Sequence, residues 1–162
     1  MTMTTTSPVP GVATPRPAGE RGEPTPTAPA ATVLDLLERS RDGLVQACHS
    51  ELAAERYTEA HLAALRAAAA LLASRSAPSG RARPRSVWEV LPTVAPELGE
   101  WATFFAGTGR RRISLERSMS GVSPREADDL VRQAETFLEL IRAALHLPMA
   151  APLPGELTPI IR

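Results

Sequence analysis

The chain has 162 residues and carries 18 basic and 18 acidic side chains, so it is neutral at pH 7. Its single cysteine, Cys48, excludes an internal disulfide and argues against a cysteine-built metal site. Its longest uncharged apolar run, Ala67 to Ala73, is far too short to cross a membrane, and the N-terminus MTMTTTSPVPGV lacks the basic and apolar regions of a signal peptide, so the expected location is the cytoplasm.

Residues 1–31 form a tail with seven prolines before position 31 and almost no large apolar side chains. Such a segment cannot bury enough surface to offset its ordering entropy, and it is expected to be disordered. A helical domain is expected over residues 32–147. Thr32 is placed to cap a first helix in which Val33, Leu34, Leu37, Leu44, Val45 and Cys48 recur at helical spacing. Gly43 weakens that helix by about 1 kcal/mol relative to Ala. The second helix, about Ser50 to Arg75, has no Gly or Pro and is dense in Ala, Leu, Arg and Glu. Steps of three and four from Tyr57 give His61, Leu65, Ala68 and Leu72, with Ala60, Ala64, Ala67 and Leu71 alongside. That density of alanine admits close neighbours, so this helix is expected to be central.

A loop follows over SAPSGRARPR, residues 76–85. Ser86 caps a short helix, Val87 to Leu91, which Pro92 is expected to stop. Pro96 restarts a helix at its first position, with Leu98, Trp101, Phe104 and Phe105 to one side. Gly107 to Gly121 reads as a second long loop. Ser123-Pro124-Arg125-Glu126 then sets a cap, a first-position proline and a capping-box glutamate in register. The last helix shows an apolar face from Ala127 to Leu145, opposite a polar face of Asp128, Arg132, Glu135, Glu139 and Arg142. Prolines at 148, 152, 154 and 159 mark residues 148–162 as a second disordered tail. With no segment of period two, the expected fold is an all-α, up-and-down four-helix bundle whose third helix is broken at Pro92–Pro96.

Every basic side chain is Arg, which together with abundant Ala and Pro reads as the coding bias of a GC-rich genome. The loop segments 75–86 and 106–122 nevertheless hold eight arginines against one acid, Glu116. Arg81, Arg83, Arg85, Arg110, Arg111 and Arg112 are therefore candidate phosphate contacts. The plain alternative is that loops in an arginine-only protein collect arginine. Within the second helix, Arg56 and His61 are a candidate catalytic pair. A histidine can move the 2′-hydroxyl or leaving-group proton of an RNA phosphodiester while an arginine stabilises the developing charge, without metal. On one continuous helix, however, five residues separate two side chains by about 140°. Convergence would need a helix start between them or a second protomer. The alternative makes His61 a core residue beside Tyr57 and Leu65, and Arg56 a surface partner of Glu55 or Glu59. No paired-carboxylate metal pattern, phosphate-binding glycine loop or Ser-His-Asp arrangement is present, so no metal or cofactor is expected.

The run Arg56-Tyr57-x-x-Ala60-His61-Leu62-Ala63-Ala64-Leu65-Arg66-Ala67 resembles the second helix of HEPN (higher eukaryote and prokaryote nucleotide-binding) domains. The blocks Pro84 to Leu91, Ala95 to Trp101, Arg125 to Leu130 and Ala134 to Leu138 look like those of a small HEPN branch of high-GC Gram-positive bacteria. The resemblance covers about residues 32–146. It implies an all-α bundle, frequently a homodimer, that binds RNA or a nucleotide. Many HEPN proteins are metal-independent ribonucleases of toxin or defence type, in which an Arg-x4–6-His motif meets its copy across a dimer cleft. Arg56 and His61 match that motif in form but not in place. The region where it usually sits reads S-P-R-E-A-D-D-L, with Arg125 and no histidine in reach. Two readings therefore stand, a HEPN-like RNA- or nucleotide-binding protein with ribonuclease activity, and a non-catalytic interaction module (antitoxin, adaptor or regulator) with a protein partner. They part on whether His61 and Arg56 open onto a common cleft.

Overall fold

The computed structural model describes residues 28–75, 85–117 and 121–155. Most of the N-terminal tail, the loop carrying Arg81 and Arg83, Met119 and the last seven residues lie outside the described residues. The described chain is all-α, with no strand. Its helices are α1 (Ala28–His49), α2 (Ala53–Arg75), α3 (Val87–Val94), a 3-10 turn over Pro96–Leu98, α4 (Gly99–Arg117) and α5 (Pro124–Ala144). The third member of the bundle is thus α3, the 3-10 turn and α4 in succession.

α2 is the centre of the fold and packs against α1, α5, α3 and α4. Ala60, Ala63, Ala64, Ala67, Ala68, Ala70 and Leu71 are all buried, and the small side chains bring α1 close. Buried Ser40 of α1 donates to the Ala63 carbonyl of α2 at 2.8 Å. Leu65 and Leu72, expected on the inner stripe, are only half-buried. One end of the core is aromatic. Phe105 lies 5.3 Å from Trp88, 6.0 Å from Trp101 and 5.0 Å from Phe137, centroid to centroid, within the range of favourable ring pairs.

Four boundaries differ from the sequence reading, each for a local reason. α1 begins at Ala28, so Thr32 is inside it and not its cap; Ala-Pro-Ala-Ala supplies a first turn in which proline is tolerated and alanine favoured. Leu34, expected on the apolar face, is exposed. α3 runs through Pro92 to Val94, and the break falls at Ala95 (φ −140°, ψ 79°). Ala95 precedes Pro96, whose ring disfavours the α region in the residue before it. Residues 107–117, read as a loop, are the second half of α4. Two glycines in a helix cost about 1 kcal/mol each. Against this, Thr108 is buried, and Arg111 and Arg112 pair with Glu126 and Glu116. Finally, residues 148–155 do not hang loose but lie along α5 and α1. Their main-chain groups find side-chain partners there.

The helix caps of α3 and α5 are formed as the sequence pattern requires. The Ser86 side chain accepts from the Trp88 N–H at 3.2 Å, and Ser123 accepts from the Glu126 N–H at 3.1 Å. Among the described residues no helix is long and apolar enough to cross a membrane.

Candidate functional site

His61 projects from α2 toward α4 and is 4% exposed. Its Nδ1 lies 2.8 Å from Thr108 Oγ1, and that hydroxyl is 3.0 Å from the Phe105 carbonyl. A hydroxyl has one proton; with that proton given to the carbonyl, Thr108 accepts from Nδ1–H and leaves Nε2 as the unprotonated nitrogen. The Trp88 ring stands 6.1 Å away, and the α4 backbone closes the remaining side at Gly109. A Cβ there would stand 3.1 Å from His61 Cε1 and 3.4 Å from Nε2. The glycine that reads as a helix breaker is what admits the imidazole. Burial, with a smaller contribution from the Arg112 guanidinium, pushes the His61 pKa down to about 4. The ring is neutral at pH 7 and sealed from solvent.

Arg56 turns to α5 instead. Its Nη1 donates to the Ser50 carbonyl at 3.0 Å, and Nε lies 3.2 Å from Asp128 Oδ1, with the two side chains 14% and 5% exposed. The contact is an ion pair without hydrogen-bond alignment at those two atoms. Neither Glu55 nor Glu59 is its partner; Glu55 accepts from Ser50 Oγ at 2.7 Å. Arg56 and His61 share one continuous helix and bond to different neighbours, Asp128 of α5 and Thr108 of α4. The monomer does not bring them together. Asp128, on the polar face of α5 by periodicity, is 3% exposed. The available signal was its position between buried Ala127 and Val131, one turn apart.

Of the arginines read as loop residues, Arg110, Arg111 and Arg112 are helical. Arg111 Nε is 3.3 Å from Glu126 of α5, and Arg112 Nη1 is 3.0 Å from Glu116 one turn on. Arg110 lines a cleft of about 480 Å³ between α3 and α4, with Ser86, Trp88, Thr103 and Ile113 among its walls and Glu89 its one acid. Exposed Arg85 directly precedes Ser86. A second cleft of about 540 Å³ opens on the other flank of α4, toward Tyr57 and the start of α5. Its rim holds Glu126 and Asp129 against Arg125, which is itself 93% exposed and 3.9 Å from Asp129. Burial, and then Glu126, raises the Tyr57 pKa. Of the two, the α3/α4 cleft balances one arginine, Arg110, against one acid, Glu89, whereas the α5-side cleft has two acids against one arginine. Phe104, expected in the core, is 43% exposed on the α5-side cleft. Among the described residues no group of three or more His, Cys, Asp or Glu is arranged to hold a metal ion.

A sequence model of one family, described as HEPN_SAV_6107-like HEPN, matches residues 47–142. No curated protein and no solved structure matches the chain.

Proposed function

Because the chain belongs to the SAV_6107-like HEPN family, we propose that it binds a nucleotide or an RNA strand in the cleft between α3 and α4, and that it binds without cleaving. The observation that carries the second half is His61. A general base must come within hydrogen-bond reach of the proton it takes. This ring is 4% exposed, bonded to Thr108 and neutral. Arg56, the other half of the motif, is held by Asp128 and the Ser50 carbonyl. Cleavage by this pair would require both side chains to leave buried partners.

Binding draws on the other arginines. Arg110, which lines the α3/α4 cleft, and exposed Arg85, which precedes the lining residue Ser86 in the chain, are the phosphate donors of this reading, and Trp88 and Ile113 supply an apolar wall for a base or ribose. Arg111 and Arg112 are engaged with Glu126 and Glu116 and serve the fold first.

The test is a salt titration of binding to a fluorescein-labelled single-stranded RNA. Wild type is expected to bind with an affinity that falls with salt. Arg85→Ala/Arg110→Ala should weaken binding at least tenfold and lower the log–log salt slope by about 1.4, at about 0.7 per single-strand phosphate contact. Arg125→Ala, on the opposite flank, should leave both unchanged. Equal losses in the two variants would refute the placement. No salt-dependent binding by wild type, to RNA or to a labelled nucleotide, would refute the function.

A further inference from the structure

The cleft of about 540 Å³ on the α5 side of α4 lies on the opposite flank from the proposed RNA site. Its size suits one small ligand or one long side chain. One buried polar group in it lacks a partner. Tyr57 of α2 lines the cleft and is 4% exposed, yet its hydroxyl has no hydrogen-bond partner among the described residues. A buried tyrosine hydroxyl ordinarily finds one. A ligand seated in the cleft would supply it.

The charges around that hydroxyl select the ligand. Burial and then the Glu126 carboxylate raise the Tyr57 pKa, and Arg111 lowers it by less, so the carboxylate outweighs the guanidinium at this point. Glu126 lines the cleft, as does Asp129 one turn further along α5. Each has an arginine partner outside the lining. Arg111 Nε is 3.3 Å from Glu126 Oε1, and Arg132 Nη1 is 2.9 Å from Asp129 Oδ1. A carboxylate offers about four lone-pair sites, so both keep acceptor capacity toward the cleft. The lining arginine, Arg125, is 93% exposed and 3.9 Å from Asp129, a solvated contact worth little. The remaining wall is apolar. Phe104 lines the cleft 43% exposed, together with Leu130. An open aromatic ring beside carboxylates is a surface on which a planar cation stacks.

We propose that this cleft binds a guanidinium group, which stacks on Phe104 and donates to Glu126, Asp129 and the Tyr57 hydroxyl oxygen. A guanidinium carries five N–H donors in one plane and no acceptor, which suits three acceptors beside an aromatic face. Its aliphatic stem would lie along Leu130. An ammonium matches the charge but not the plane, and a carboxylate or phosphate would face Glu126 and Asp129. The group arrives either on a free alkylguanidine or on the arginine of a peptide, and the cleft has room for both.

Tyr57 is the chain's one tyrosine, so full-length protein made with ring-13C tyrosine carries a single NMR reporter at the site. Butylguanidinium and a blocked glycine-arginine-glycine tripeptide are each titrated to about 10 mM, a range that captures affinities of about −4 kcal/mol. At least one should shift the Tyr57 signal saturably. Saturation by butylguanidinium alone identifies a small-molecule ligand, and tighter binding of the tripeptide identifies a peptide arginine. The same tripeptide with citrulline, which keeps the shape and lacks the charge, should bind at least tenfold more weakly. Glu126→Gln, which keeps a capping-box residue, and Phe104→Ala should each weaken binding at least fivefold, whereas Arg125→Ala should tighten it. No saturable shift with either guanidine, citrulline binding equal to arginine, or Phe104→Ala binding like wild type would each overturn the proposal. If Glu126→Gln melts early by circular dichroism, Phe104→Ala and the citrulline comparison decide.

Discussion

Lowering the pH from 7 to 4 should destabilise the wild-type chain by about 3 kcal/mol more than it destabilises His61→Gln. In the unfolded chain the imidazole titrates near its ordinary 6.5, and in the folded protein near 4. Between those values the unfolded state binds more protons than the folded state, so stability falls as pH falls. The stabilisation is fully present above about 6.5, declines through the window between 6.5 and 4, and levels off below 4. A shift of about 2.5 units at 1.36 kcal/mol per unit is about 3.4 kcal/mol in full, most of it lost by pH 4. The buried carboxylate Asp128, the other histidines and Arg112 remain in both proteins, and their contribution cancels in the comparison. Gln cannot charge, so its own cost of substitution is constant with pH. Urea unfolding at half-unit steps reads the difference. With a slope of about 1.5 kcal/mol per molar, the wild-type midpoint should drop about 2 M further than that of His61→Gln. Parallel loss in the two proteins would refute the sealed, neutral histidine, and with it the argument against catalysis.

Three further outcomes follow from the packing. Gly109→Ala should destabilise the fold by about 1 to 2 kcal/mol despite the better helix propensity of alanine, because its Cβ would crowd His61 at 3.1 Å. Gly107→Ala, whose Cβ would meet only Arg110 Nη2 at 3.8 Å, should stabilise by about 0.5 to 1 kcal/mol; thermal melts of the two variants should move in opposite directions. Arg56→Ala removes the part-buried Arg56–Asp128 ion pair and should destabilise the fold in chemical denaturation by about 1 to 3 kcal/mol, with Arg56→Ala/Asp128→Ala recovering part of the loss. His146→Gly, by relieving the left-handed turn at φ 57°, should raise the melting temperature by about 4 °C, equivalent to about 1 kcal/mol.

The helices themselves were legible where periodicity and caps agree. The alanine-rich α2 is central, and Ser123-Pro124 starts α5, as the pattern requires. The misread stretches share a cause, which is that long-range partners override local signals. Gly107 and Gly109 read as loop, because no local rule reveals that His61, 48 residues earlier, needs the space left by the missing Cβ at 109. Glu135, Glu139 and Arg142 read as a solvated face, because a helix pattern does not show that a proline-rich segment folds back over it. The Arg56–His61 spacing was visible, but spacing reports neither burial nor partners. Asp128 and Thr108, which claim those two side chains, lie 72 and 47 residues away from them. The place of Arg110 in the α3/α4 cleft depended on where the chain breaks, which is Ala95 rather than Pro92, and on α4 continuing through residues read as a loop.

The most direct test of the account incubates a labelled single-stranded RNA with the purified protein in EDTA and resolves the same samples on native and denaturing gels. The account predicts RNA that is retarded on the native gel by wild type, released by Arg85→Ala/Arg110→Ala, and full-length on the denaturing gel throughout. Cleavage by wild type that disappears in His61→Gln, with that variant still folded, would contradict it and restore Arg56 and His61 as a catalytic pair.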